Sequence, residues 1–76
     1  FMPAAIVALI KIVEDLVAAD AKGQFSVKNY RDSAGIGRNS AIEILEYFDR
    51  VGYTRRLDQV RQIRKPATDA FPGLIE

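Results

Sequence analysis

The stretch Ala34–Arg56, "AGIGRNSAIEILEYFDRVGYTRR", decides the fold of this chain. Its apolar residues recur at spacings of three and four, which is the period of one helix face. A glycine-containing turn precedes them and Gly52 follows them, so the spacing predicts a third helix from about Arg38 to Val51. The residues predicted to be buried on this helix are Ala41, Ile44, Leu45, Phe48 and Val51.

The start of this third helix has two interpretations. Ser40 and Glu43 match the S-x-x-E capping box, which places the first turn near Ser40. The sequence equally allows Gly37 as the N-cap and Arg38 as the first helical residue.

Two helices and a short strand are predicted upstream. A first amphipathic helix has Pro3 in its first turn and ends before Gly23. A short strand is predicted at Gln24–Val27, and Ser26 can cap a second helix from Val27 to about Ala34. The first helix buries Ile6, Leu9, Ile10, Val13, Leu16 and Val17, and the second buries Val27, Tyr30 and Ala34.

A β-hairpin is predicted downstream, with strands Tyr53–Leu57 and Val60–Arg64. The turn between them, Asp58-Gln59, lacks glycine, so its hairpin signal is weak. With a two-residue turn, the strand register is fixed. The facing pairs are then Leu57 with Val60, Arg56 with Arg61, and Arg55 with Gln62.

This order of elements predicts a mainly α fold with a small β-sheet, in which a helix-turn-helix is followed by a hairpin wing. That arrangement is a winged helix. We expect one domain over residues 1–65 and a C-terminal tail over residues 66–76. The tail has two possible states: it docks on the body through Phe71, Leu74 and Ile75, or it frays.

Composition excludes several functions for the 76 residues. The chain has no cysteine and no histidine, so disulfides, thiolate metal sites and the commonest general base are absent. We therefore expect no enzyme activity, no metal and no cofactor. The apolar run Ala4–Ile10 is too short to span a bilayer and does not resemble a signal peptide, so no membrane partner is expected. The start at Phe1 suggests a piece of a longer protein.

Charge is unevenly distributed, although the net charge is only +1. The segment from Arg50 to Lys65 carries six cationic side chains and a single carboxylate, Asp58. Such a concentration is typical of a surface that binds a polyanion, and equally compatible with a solvated strand surface.

The third helix combines an acidic side with a basic start. Glu43, Glu46 and Asp49 are expected to form a structural shaft that stays clear of the ligand, with Glu46 paired to Arg50. Removing Glu46 is then expected to change ligand binding very little.

The first turn of the same helix has the positive end of the helix dipole, which attracts phosphate. Arg38 is predicted to contact phosphate or a guanine edge, and Asn39 a base edge. Ser40 either makes such a contact or caps the helix.

Four further cations are candidate nucleic-acid contacts. Arg56 opposite Arg61 is unfavourable in a sheet unless a phosphate lies between them, or unless Asp49 or Asp58 neutralises one of them. Lys28 and Arg31 lie three residues apart at the front of the second helix, where they either approach a nucleic-acid backbone or are solvated.

The run "FSVKNYRDSAGIGRNSAIEILEYFDRVGYTRRLDQVRQI", Phe25 to Ile63, closely resembles the last winged-helix domain of the bacterial SelB family, the selenocysteine-specific translation elongation factors. The resemblance covers about half of the chain and runs through every predicted element from the short strand onward. The residues that carry it are Phe25, Ser26, Val27, Tyr30, Arg31, Asp32, Gly35, Gly37, Arg38, Ala41, Ile42, Leu45, Glu46, Phe48, Asp49, Gly52, Thr54, Arg55 and Arg56.

The resemblance implies that the domain binds the mRNA hairpin that recodes UGA as selenocysteine, and that the full-length factor brings it to the ribosome in the cytoplasm. Arg38 falls on the family's basic position at the start of the third helix, and Arg55 and Arg56 fall on its T-R-R motif, so the resemblance implies that all three contact the nucleic acid. The GTPase portion is absent from these residues, and a monomer is expected. Two departures are Asn39, where the family commonly has lysine, and the Asp58-Gln59 turn, where it commonly has Gly-Asp.

Two other functions fit a winged helix. One is a DNA-binding transcriptional regulator, which the acidic third helix disfavours, because its carboxylates would face phosphates in a major groove. The other is a protein-interaction domain, which the clustered arginines of the hairpin disfavour.

Overall fold

The computed structural model describes the backbone of residues 3–73 and the side chains of residues 5–73. The predicted winged-helix fold is confirmed: the chain is mainly helical with a small antiparallel sheet. No helix within residues 3–73 is long and apolar enough to cross a bilayer. The elements are α1 (Pro3–Ala19), β1 (Gln24–Phe25), α2 (Val27–Ala34), α3 (Arg38–Arg50), β2 (Thr54–Leu57), β3 (Val60–Ile63) and α4 (Ala67–Ala70).

Helix α1 packs its predicted apolar face against α2 and the sheet. Ile6, Ile10 and Val13 are buried on this face. The Tyr30 hydroxyl of α2 donates a hydrogen bond of 3.0 Å to the Leu9 carbonyl oxygen. Burial raises the pKa of Tyr30, so its hydroxyl keeps the proton that this hydrogen bond needs.

Helix α2 is capped at both ends, as predicted. Ser26 and Asn29 exchange hydrogen bonds of 3.1 Å between side chain and backbone, which forms a reciprocal capping box. At the other end Gly35 adopts a left-handed φ of 68°, and its N–H donates to the Arg31 carbonyl oxygen.

Helix α3 begins at Arg38, and Gly37 is its N-cap. The capping box predicted for Ser40 and Glu43 is therefore wrong, and the earlier of the two possible starts is right. Gly37 already has the extended conformation of an N-cap, and its carbonyl oxygen accepts the first helical hydrogen bond, from Ala41.

The sheet has the strand order β1-β3-β2. The predicted hairpin register is confirmed, with Arg56 facing Arg61 across the two strands. Asp58 supplies the positive φ, 59°, that a tight hairpin turn needs. Aspartate tolerates this conformation better than most residues, so the turn closes without glycine.

The start of the C-terminal tail packs on the core. Ala67 and Phe71 are both buried, and the Phe71 ring contacts the rings of Tyr47, Phe48 and Tyr53. Of the two states left open for the tail, docking through Phe71 is the one observed. Leu74 and Ile75 lie outside the described residues, and the domain boundary at residue 65 stays a prediction.

Candidate nucleic-acid interface

A cleft of about 320 Å³ lies between α2, α3 and the hairpin. Five cationic side chains line it, against two carboxylates, so its electrostatic character is positive. Four other residues complete the walls. The cations are Lys28, Arg31, Arg38, Arg56 and Arg61, the carboxylates belong to Glu46 and Asp58, and the remaining residues are Ser26, Val27, Ile42 and Gln59.

The five cations come from three separate parts of the chain. Lys28 and Arg31 lie three residues apart on α2, and therefore on one side of that helix. Arg38 is the first residue of α3, and the sheet register places Arg56 beside Arg61. The fold thus brings together five of the eight residues that the sequence proposed as nucleic-acid contacts.

These cations differ in whether they form ion pairs or hydrogen bonds with other groups of the protein. Within residues 3–73, no carboxylate forms an ion pair with Lys28, Arg38 or Arg56. Arg56 Nε donates to the Asp58 carbonyl oxygen at 3.2 Å, which directs the side chain toward the wing turn. Arg31 pairs with the adjacent Asp32 at 3.3 Å, and both side chains are exposed to solvent.

Arg61 is held inside the protein. It is only 6% exposed, and its Nε donates to Asp49 Oδ2 at 3.0 Å. The other oxygen of Asp49 accepts a hydrogen bond from the Thr54 hydroxyl. One carboxylate at the end of α3 therefore binds both strands of the hairpin.

For the facing pair Arg56 and Arg61, the sequence left open a phosphate between them or neutralisation by Asp49 or Asp58, and this network shows that Asp49 neutralises Arg61. Asp49 already neutralises Arg61, because the core-facing side of β3 points it at the C-terminal half of α3. Repulsion across the strands is therefore no evidence for a ligand.

Three of the proposed contact residues lie outside the cleft lining. Asn39 and Ser40 are exposed in the first turn of α3. Arg55 faces Gln62, on the opposite side of the hairpin from Arg56 and Arg61, because successive side chains of a strand alternate.

The sequence predicted that the acidic shaft of α3 stays clear of the ligand, but the structure places Glu46 in the wall of the basic cleft. Glu46 lines the cleft, and no ion pair joins it to Arg50 in the part of the chain that the structure describes. The spacing of Arg38, Ile42 and Glu46, four residues apart, places them on one side of the helix and is the signal in the sequence for this wall.

The N-terminus of α3 is open next to the cleft. No side chain caps it, so the backbone N–H groups of its first turn lack a capping partner. A Cβ atom on Gly37 would meet no atom within 4 Å, and the φ of Gly37, −71°, suits any residue. Neither packing nor conformation demands glycine at this position.

Comparison with known proteins identifies the family of this chain. The family described as "Elongation factor SelB, winged helix" matches residues 18–63. The selenocysteine-specific elongation factor of Escherichia coli (strain K12) is 56% identical over 34 residues, 45% of this chain and 6% of that protein. The one of Haemophilus influenzae (strain ATCC 51907 / DSM 11121 / KW20 / Rd) is 34% identical over 56 residues, 74% of this chain and 9% of that protein.

The chain thus spans less than a tenth of the length of either relative. No solved structure matches it. The family match runs from the end of α1 through β3, and so includes every element that lines the cleft. The chain belongs to the winged-helix family of elongation factor SelB.

Proposed function

We propose that this domain binds the mRNA hairpin that specifies selenocysteine insertion, through the start of α3 and the basic cleft beside it. The observation that carries the proposal is the convergence of Lys28, Arg38 and Arg56 on one cleft, where no carboxylate of residues 5–73 forms an ion pair with any of the three. Cationic side chains placed together without acidic partners are the usual means of holding a phosphate backbone.

The open N-terminus of α3 supports the same location. Its unpaired N–H groups and the positive end of the helix dipole favour a phosphate. The space beside Gly37, where a Cβ atom would lie, is free of other atoms within 4 Å. We assign Arg38 to the first phosphate or to a guanine edge, and the exposed Asn39 and Ser40 to the adjoining nucleotides.

The remaining proposed contact residues differ in where they would meet the RNA. Lys28, Arg31 and Arg56 contact phosphates at the rim of the cleft. Arg61 forms part of the wall of the cleft and adds little net charge there, since Asp49 holds and neutralises it. Arg55 reaches a phosphate only from the outer side of the hairpin.

The shape and charge of the site favour an RNA loop over a DNA duplex. An RNA loop can enter the cleft and still avoid the carboxylate of Glu46 in its wall. If α3 were inserted in the major groove of a DNA duplex, its carboxylates would meet phosphates along the length of the helix. Single-stranded loops also present unstacked bases, which is where proteins usually read RNA sequence. The named relatives are selenocysteine-specific elongation factors, and we infer that this domain tethers such a factor to its message at the ribosome in the cytoplasm.

Competition binding tests this proposal against a DNA-binding regulator. The chain is bound to a fluorescent RNA hairpin at physiological salt and challenged with unlabelled hairpin or duplex DNA of equal length. We expect the RNA hairpin to compete far better. Equal competition by duplex DNA would remove the basis for the RNA assignment.

Arg38→Ala is expected to weaken hairpin binding by about 1–3 kcal/mol, because it removes a paired contact at the centre of the site. The slope of log K against log salt should also become shallower by roughly one unit. The matched control is Lys22→Ala, which removes an exposed cation in the turn after α1 and should leave the affinity nearly unchanged. If both variants lost the same affinity for the RNA hairpin, the effect would come from net charge alone, and Arg38 would not belong to a specific binding site.

Glu46→Gln is expected to strengthen hairpin binding by roughly twofold to fivefold, because one negative charge leaves the wall of a cleft that receives phosphate. The control is Glu43→Gln, an exposed carboxylate of α3 outside the cleft lining. The measurement is the hairpin Kd at low salt, where surface charges are least screened. Weaker binding after Glu46→Gln would mean that this carboxylate accepts a hydrogen bond from a base.

A further inference from the structure

Two cationic side chains converge on Gly52, just after the C-terminus of α3. A methyl group on Gly52 would lie 3.1 Å from Arg64 Nη1 and 3.4 Å from Lys65 Nζ. The two charged groups therefore lie over the same backbone atom. We call Gly52, Arg64 and Lys65 the Gly52 cluster.

The backbone fixes one member of this cluster. The Arg64 N–H donates a hydrogen bond of 2.8 Å to the Tyr53 carbonyl oxygen, which holds residue 64 beside the start of the hairpin. Gly52 itself has a φ of 83°, a left-handed conformation that favours glycine and leaves room for both side chains.

The cluster has no counter-charge among the side chains of residues 5–73. Nowhere in residues 3–73 does a carboxylate pair with Arg64 or Lys65, and neither side chain donates a hydrogen bond there. Arg50 already provides the cation in the last turn of α3 that complements the helix dipole. Two further like charges at close range repel each other, and an anion between them relieves that repulsion.

The cluster is distant from the cleft along α3. Arg38 and Arg50 are separated by about 18 Å of helix, at 1.5 Å per residue. Glu46, which also lines the cleft, lies one helical turn before Arg50. A separation of this size lets the two sites contact different phosphates of one RNA.

We propose that the Gly52 cluster is a second phosphate-binding site, which takes a backbone phosphate of the paired stem while the cleft holds the loop of the same RNA hairpin. This inference rests on the proposed function for its ligand. It adds a separate contact that is independent of the loop sequence.

The test uses the double variant Arg64→Gln/Lys65→Gln, which removes two charges and keeps long polar side chains. Binding is measured at about 50 mM salt to an RNA hairpin and to its stem alone, prepared as a loop-free duplex. We expect roughly fivefold to twentyfold weaker binding to both RNAs, because the lost contacts lie on the stem. Arg38→Ala should weaken binding to the hairpin much more than binding to the duplex.

The matched control is Lys11→Gln/Lys22→Gln, which removes the same number of charges from α1 and the turn that follows it. Two results would overturn the second site. One is that the Arg64→Gln/Lys65→Gln variant binds the duplex as tightly as this control does. The other is that the variant loses affinity for the RNA hairpin only. Failure of the proposed function is a separate result, namely unmutated protein that binds hairpin and duplex equally.

Discussion

Asp49→Ala is expected to lower the free energy of unfolding by about 3 kcal/mol, because it leaves the buried Arg61 guanidinium without its counter-charge. The same change removes the acceptor of the Thr54 hydroxyl, which is itself buried. Chemical denaturation followed by circular dichroism measures the loss. Binding of the RNA hairpin should also weaken, since Arg61 and the β-hairpin lose their connection to α3.

A matched control is available in the same protein. Asp32 also pairs with an arginine, Arg31, but both of these side chains are exposed. Asp32→Ala should therefore cost less than about 1 kcal/mol. If Asp49→Ala and Asp32→Ala lowered the free energy of unfolding equally, burial of the Asp49–Arg61 pair would not contribute to stability. The isosteric Asp49→Asn, which keeps an acceptor for Thr54, should fall between Asp49→Ala and the unmutated protein.

Phe71→Ala is expected to destabilise the domain by about 3 kcal/mol, because the ring is 7% exposed and fills space against three other aromatic rings. The affinity for RNA per folded molecule should be unchanged, since Phe71 does not line the cleft. Thermal and denaturant unfolding measure the first effect, and hairpin titration at low temperature measures the second.

The control for this prediction is Val7→Ala. Val7 is a large apolar residue on α1, but it is 44% exposed, so its truncation should cost less than about 0.5 kcal/mol. A Phe71→Ala protein as stable as the Val7→Ala protein would mean that residues 66–73 add nothing to the stability of the domain in solution.

Much of the fold could be read from local sequence patterns. The apolar period of α1 and α3, the Ser26 cap and Gly35 fixed the helices to within a few residues of their observed bounds. The register of the hairpin followed from a two-residue turn, because turn length determines which residues face each other. These features depend on neighbours in sequence, so sequence patterns detect them well.

The parts that were missed depend on contacts between distant segments. Asp49 was assigned to the acidic shaft of the third helix and was also one of two candidate partners for the facing arginines. Its pairing with Arg61 could be established only from the fold, because β3 brings Arg61 to it. Helix α4 spans only four residues, too few for a helical period to appear, and only the aromatic cluster shows why Phe71 is buried. The place of Glu46 in the cleft likewise depends on how the wing folds back over α3.

The hydrogen bonds from Thr54 and Arg61 to the single carboxylate of Asp49 fix the angle between the wing and α3 in the free protein. The width of the cleft is therefore set when the chain folds. Conformational freedom at this junction is lost at that stage and need not be lost again when a ligand arrives, which is the thermodynamic advantage of preorganisation. The protein should accordingly change its conformation very little on binding, and the ligand should be the partner that changes shape.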